Sequence, residues 1–380
     1  MKVLIVPDKF KGSLTAEEAI TAIRAGLTDR DPTVRSHAMI ASDGGDGFLQ
    51  AVLKSDAAVE LQSCETSDPL GRPITADYGI RRSDGSAFIE MAKASGMELL
   101  QKVELDPYKT STFGTGRLIA DAIDRGMKTI YVGLGGSATN DGGCGIARAV
   151  GYRMLDQAGV EIEYTGGGLE KLWAIDQSSV RALDGVRVLA INDVANPLVG
   201  SQGASVIYCP QKGADSVIVD QLDRNLAELS EVVKRDLGID AASLPGAGAA
   251  GGTGYGLSVF LGADFLSGVE FVLSLTGIED VLSAGDIDLI ITGEGRIDDQ
   301  TAYGKLVRGV ATVGESFRIP VIAVCGINAL KTKTAHDLGV KRIIELHDPS
   351  RPVETTIRDA ALLLRQAVAG LDLEPIIGEP

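Results

Sequence analysis

Short runs of consecutive apolar residues recur along the chain, most of them followed by a segment with helical spacing. The first is Lys2-Val-Leu-Ile-Val6. A strand covered on both faces reads this way, because neither side needs polar residues. Thr15-Ala-Glu-Glu-Ala-Ile-Thr-Ala-Ile-Arg-Ala-Gly-Leu27 follows with helical periodicity, and Thr15 with Glu18 forms a capping-box pattern that marks its start. The far end of the chain repeats the rhythm. Residues 288–292 read as a strand, 305–311 as a helix, 320–325 and 341–346 as strands, and 355–371 as a closing helix. Alternation of this kind predicts an α/β protein with a parallel sheet covered by helices.

The middle of the chain differs. From Asp68 to Gly285 glycine clusters abound, and residues 74–80 turn at Ser83-Asp-Gly85 into 86–91 as a hairpin. Strand patterns at 129–134 and 186–191 persist within it. This irregularity predicts a second, inserted domain with a mixed sheet.

Composition narrows the function. The 380 residues are 44% hydrophobic, enough to bury a sizeable core. Thirty-six Lys and Arg against 52 Asp and Glu give a net charge of −16, a field that repels nucleic acid and anionic membrane. An anionic substrate therefore needs locally placed Lys or Arg. Four well-separated cysteines and three histidines offer neither a C-x-x-C pair nor a His-rich metal site. The N-terminal apolar run is too short for a signal peptide, and Asp264 and Glu270 interrupt the apolar 257–278 region, so a soluble, cytoplasmic protein is expected.

Candidate chemistry gathers where strands end, the edge at which open α/β sheets bind ligands. Gly135-Gly-Ser-Ala-Thr-Asn-Asp-Gly-Gly143 lies between the strand at 129–134 and a helix at 144–150. Glycines let a backbone approach an anion closely, and a helix N-terminus adds about half a positive charge. Four further segments follow apolar runs: Asp8-Lys-Phe-Lys-Gly-Ser13, Ser42-Asp-Gly-Gly-Asp-Gly47, Asn192-Asp-Val-Ala-Asn-Pro-Leu198 and Thr292-Gly-Glu-Gly-Arg-Ile-Asp298. Each alone is as readily a turn or a solvated charge; five together point to one active site. Thr112–Gly116 and Ala249–Gly254 fit either a phosphate site or tight packing. Gly133-Leu-Gly135-Gly-Ser-Ala138, with Asp156 about 20 residues on, matches a dinucleotide fingerprint, but Asn140-Asp-Gly-Gly143 would break the helix it requires. Neither a Walker P-loop nor protein-kinase signatures occur.

Taken in order, these segments resemble the bacterial type of the glycerate kinase family, which phosphorylates glycerate with ATP. The resemblance rests on Pro7–Ser13, Asp43-Gly-Gly45, Asp68-Pro-Leu-Gly-Arg-Pro73, Ile89-Glu-Met-Ala-Lys-Ala-Ser-Gly96, Thr112-Phe-Gly-Thr-Gly116, Gly135–Gly143, Asn196-Pro-Leu198, Pro210-Gln-Lys-Gly-Ala214, Ala249-Ala-Gly-Gly252 and Thr292–Asp298. Departures from the family pattern stand at Lys9, Asp46, Phe48, Ala195 and Cys209. The resemblance implies a discontinuous Rossmann-like domain from 1–67 and 286–380, with 68–285 inserted.

It also implies roles. Gly135, Gly136, Ser137, Thr139, Asn140, Gly142 and Gly143 would cradle ATP phosphates, and Mg²⁺ would be held among Asp141, Glu294 and Asp298. Arg296 would pair with the glycerate carboxylate, with Asp43 and Ser13 as further substrate contacts and Lys9 and Lys11 as phosphate cations. Asp193, then Asp8, would accept the hydroxyl proton. The product expected first is 2-phosphoglycerate rather than 3-phosphoglycerate, and a homodimer is compatible with the chain. A NAD-dependent oxidoreductase of a small hydroxy acid and a non-catalytic organic-acid-binding protein are the competing readings.

Overall fold

At both chain ends the apolar runs form parallel strands, and in the middle they alternate with hairpins. The computed structural model describes residues 1–10, 12–40, 47–299, 301 and 306–372. In chain order the strands are β1 (Lys2–Pro7), β2 (Arg35–Ala38), β3 (Glu60–Ser67), β4 (Pro73–Arg81), β5 (Ser86–Glu90), β6 (Thr129–Gly133), β7 (Arg153–Leu155), β8 (Ala174–Asp176), β9 (Arg187–Ile191), β10 (Asp264–Leu266), β11 (Leu289–Asp298), β12 (Val321–Ala329) and β13 (Arg342–Glu345). They fall in two units, Met1–Asp43 with Val269–Pro380, and Gly44–Gly268.

The first unit holds a five-stranded sheet in the order β13-β12-β11-β1-β2, with every pairing parallel. Val3 to Val6 and Leu289 to Ile291 are wholly buried, as the unbroken apolar runs require. The helix Ala16–Arg30 starts where the capping box put it: Glu18 N donates to Thr15 Oγ1 at 3.2 Å, and Thr15 N donates to Glu18 Oε2 at 2.8 Å. This helix crosses Ala360–Ala369 closely at Gly26, where a Cβ would stand 2.5 Å from the Arg365 carbonyl.

The second unit carries a six-stranded sheet, β10-β9-β6-β5-β4-β3, beside the small β7–β8 pair. Its first four strands run parallel, and β4 and β3 complete it as an antiparallel meander through the expected hairpin. Register aligns Glu90 with Gly133, Gly133 with Ile191, and Ile191 with Leu266, so four strands end in one row. That row positions the loops that follow.

Three features depart from the sequence reading. The division between units falls at 43/44 and 268/269 rather than at 67/68 and 285/286. At the first break, β3 pairs along its length with β4, from Glu60 opposite Ile80 to Ser67 opposite Pro73. At the second, Val269 packs into the notch left by Gly309 of the helix Leu306–Phe317. The closing helix is two helices, Val353–Arg358 and Ala360–Ala369, meeting at Asp359. Finally, β11 does not stop near residue 292 but continues through Asp298 along β12. Cys64, Cys144, Cys209 and Cys325 are buried free thiols. Among the described residues no helix is long and apolar enough to cross a membrane.

Candidate functional site

Leaving β6, the chain makes the glycine loop and enters the helix Cys144–Ala149. Gly136, Gly142 and Gly143 have φ of +70°, +62° and +75°, a region that side chains with a Cβ enter only at a cost. Asp141 holds the loop from within. Its Oδ2 accepts from Thr112 N and Thr112 Oγ1, both at 2.8 Å, and from Gly145 N at 3.2 Å; its Oδ1 accepts from Gly143 N at 3.1 Å. Burial pushes the Asp141 pKa up, and these donors pull it back. The carboxylate has no exposed surface. Expected among the metal ligands, Asp141 instead ties together the starts of two helices, Phe113–Asp124 and Cys144–Ala149.

Glycines also explain how closely the loop is backed. The helix Ala249–Leu261 begins with Ala250, Gly251 and Gly252 in left-handed conformation, and Gly142 N donates to the Gly251 carbonyl at 3.1 Å. A Cβ on Gly251 would stand 1.9 Å from the Thr139 carbonyl oxygen, and one on Gly256 2.7 Å from Gly143 Cα. A Cβ on Gly116 would likewise stand 2.7 Å from Ile146 Cα. For both the 112–116 and the 249–254 segments, the structure exhibits the tight-packing arrangement.

Lys212 is a residue that sequence reasoning missed. It is 2% exposed, and its Nζ donates to Ser137 Oγ at 2.8 Å and to the Thr139 carbonyl at 2.7 Å. Desolvation lowers its pKa to about 8. The segment Pro210–Ala214 drew attention, but a lysine there reads as solvated, because lysines are rarely enclosed. Asn140 Nδ2 donates to Ser205 Oγ at 2.9 Å, while Thr139 Oγ1 and Asn140 Oδ1 are enclosed and accept from no described residue.

At the neighbouring strand ends, Asp193 Oδ1 accepts from Ser267 Oγ at 2.8 Å and from Gly268 N at 3.0 Å. Parallel pairing of β9 and β10 brings those two ends together. Glu90, also missed, is 2% exposed and accepts from Gly47 N at 3.1 Å and Leu49 N at 3.0 Å, clamping the start of the helix Phe48–Ser55. Asp43 lies outside the described residues. The dinucleotide fingerprint fails on geometry: the helix starts at Cys144 rather than beside Gly135, and Asp156 caps its own turn through Ala158 N and Val160 N.

In the first unit, Asp8 N donates to the Gly293 carbonyl at 2.8 Å, which sets the end of β1 beside Glu294. Asp8 Oδ1 accepts from Lys9 N at 2.7 Å. Ser13 Oγ donates to the Phe10 carbonyl at 3.0 Å, stabilising its own turn. Lys11 lies outside the described residues. Because β11 continues, Glu294, Arg296 and Asp298 alternate onto one face of a regular strand. Glu294 Oε1 accepts from Thr301 Oγ1 at 2.9 Å, and Arg296 Nε lies 3.8 Å from Asp298 Oδ2. Among the described residues no three His, Cys, Asp or Glu cluster closely enough to hold a metal by themselves. Glu294 and Asp298 stand four residues apart on this strand, and each carries the hard oxygen donors that Mg²⁺ prefers.

The model of the glycerate kinase family matches residues 3–371. The chain is 40% identical over 370 residues to a glycerate kinase of Halalkalibacterium halodurans, covering 97% of each chain. It is 41% identical over 348 residues to a glycerate 2-kinase of Escherichia coli, covering 91% of this chain and 90% of the relative. A crystal structure of a provisionally named glycerate kinase 2 from Salmonella typhimurium superposes with a TM-score of 0.79 at 39% identity, covering 97% of this chain and 96% of that one.

Proposed function

Since the chain belongs to the glycerate kinase family, we propose that it transfers the γ-phosphoryl group of ATP to D-glycerate, giving 2-phosphoglycerate in preference to 3-phosphoglycerate. The family match across nearly the whole chain carries this reading. The name of the Escherichia coli relative supports the position of transfer.

Phosphoryl transfer needs in-line positioning and charge neutralisation more than covalent work. The half-exposed start of the loop, Gly135 and Gly136 beside Ser137, receives the nucleotide phosphates on backbone N–H groups, while Thr139, Asn140, Gly142 and Gly143 are enclosed and hold its shape. Glu294 and Asp298 are the residues that would hold Mg²⁺, whose charge offsets that of the phosphates. Arg296, largely exposed on the same strand face, pairs with the glycerate carboxylate. Asp8 accepts the hydroxyl proton ahead of Asp193, because it ends the strand next to Glu294, whereas Asp193 Oδ1 is committed to Ser267 and Gly268.

Phosphorus NMR of the products from ATP, Mg²⁺ and D-glycerate tests the proposal directly. Resonances of ADP and 2-phosphoglycerate are expected. No phosphorylated acid would end the reading, and 3-phosphoglycerate would overturn its regiochemistry alone.

A further inference from the structure

The buried ammonium of Lys212 has no part in the mechanism above. Burying a lysine costs several kcal/mol unless a counter-charge compensates it. Here the two acceptors are neutral, the Ser137 hydroxyl and the Thr139 carbonyl. Among the described residues no carboxylate lies within ion-pair distance of Nζ. The enclosed Asp141 carboxylate of the same loop acts on this charge through space, without an ion pair.

The second observation lies in the loop itself. Thr139 Oγ1 and Asn140 Oδ1 are enclosed polar atoms that accept from no described residue. Both belong to residues with no exposed surface. Orphaned buried oxygens are uncommon, because each forgoes a hydrogen bond. They adjoin the carbonyl that Lys212 holds. A cation with no direct ion pair, bonded to a loop whose enclosed oxygens are not all satisfied, describes a segment whose shape depends on that one ammonium.

We propose that Lys212 is a positioning residue for the nucleotide. Its ammonium pins the Ser137 hydroxyl and the Thr139 carbonyl inward, which sets the course of the loop and leaves its half-exposed start, Gly135 and Gly136, to face the phosphates. It also supplies the positive charge that those phosphates neutralise. Lys212 acts through Ser137 and Thr139 and exchanges no proton with the reactants. The proposal rests on the reading of Gly135–Gly143 as the phosphate loop. It explains how a chain of net charge −16 attracts a polyanion there.

The test compares the full-length chain with Lys212→Met, which keeps the stem without the charge, and Lys212→Arg, which keeps the charge. Mg-ATP binding by calorimetry should weaken about tenfold or more in Lys212→Met, the loss of a charged hydrogen-bonding group. The glycerate KM should stay unchanged, and Lys212→Arg should recover much of the affinity. A residue that only filled space would move none of these selectively. If Lys212→Met does not fold, Lys212→Gln removes the charge while keeping a donor, and its binding decides the question. Hydrogen exchange of the wild-type chain separates the two layers of the argument. Protection of residues 135–143 by Mg-ATP, together with wild-type affinity in the uncharged variant, overturns the role of Lys212 alone. No protection of that loop overturns the phosphate-loop reading and this proposal with it.

Discussion

The glycine loop and the end of β11 solve opposite problems. In the loop, Thr139, Asn140 and Asp141 have no exposed surface, and the Asp141 carboxylate serves neighbouring backbone groups. Along β11 the side chain of Arg296 is 62% exposed and that of Asp298 is 30% exposed, on a strand paired with β12 from Ile290 to Glu294 and from Arg296 to Asp298. One region is held by enclosed side chains and by peptide groups bonded to neighbouring segments. The other is held by its ladder, which leaves its polar side chains at the surface. Substitutions should therefore cost stability in the first and turnover in the second.

The largest effect should come from Gly251→Ala. The new Cβ would meet the Thr139 carbonyl at 1.9 Å, and φ is +70°. A loss of about 4 kcal/mol in urea unfolding combines left-handed strain with overpacking. A loss no larger than that of a surface substitution would mean the loop is not held by this contact. Next is Glu294→Gln, expected to lower kcat about 10²-fold, or about 2.7 kcal/mol in the barrier, while stability moves by less than about 0.5 kcal/mol. Steady-state kinetics with parallel unfolding checks it, and unfolding at low temperature with normal turnover would reverse the contrast.

A gradual, pH-dependent effect sharpens the comparison at its exception, the charge within the closed region. Lys212 falls from an unfolded value of 10.5 to about 8 when buried. Its charged form opposes folding fully below about pH 8, and that opposition fades as pH rises toward 10.5. Wild-type stability should therefore gain on Lys212→Met across this window, by at most about 1.4 kcal/mol per pH unit. Parallel pH curves for the two proteins would show that the lysine is not desolvated.

Much of this was legible in the chain itself. Buried parallel strands announce themselves as apolar runs, which is why β1, β6, β9 and the core of β11 were found close to their observed bounds. The Thr15–Glu18 box and the turn at Ser83–Gly85 also carry local chemistry strong enough to read. The extension of β11 was hidden, because Thr292–Asp298 is polar and rich in glycine; it is extended through its pairing with β12, a partner distant in sequence. The enclosure of Lys212, Glu90 and Asp141 was hidden for a related reason. Whether a charged side chain is scaffold or reagent depends on the donors and acceptors that tertiary structure brings to it, and no local spacing encodes them.

The unbroken ladder of β11 constrains how such an enzyme can change. Residues two apart on a strand share a side and rise together, so the glutamate, arginine and aspartate at 294, 296 and 298 act as teeth on one rack. Losing or gaining a single residue upstream would turn all three teeth to the opposite side at once. Change on this side of the strand is thus confined to exchanging one tooth for another, never to shifting the rack.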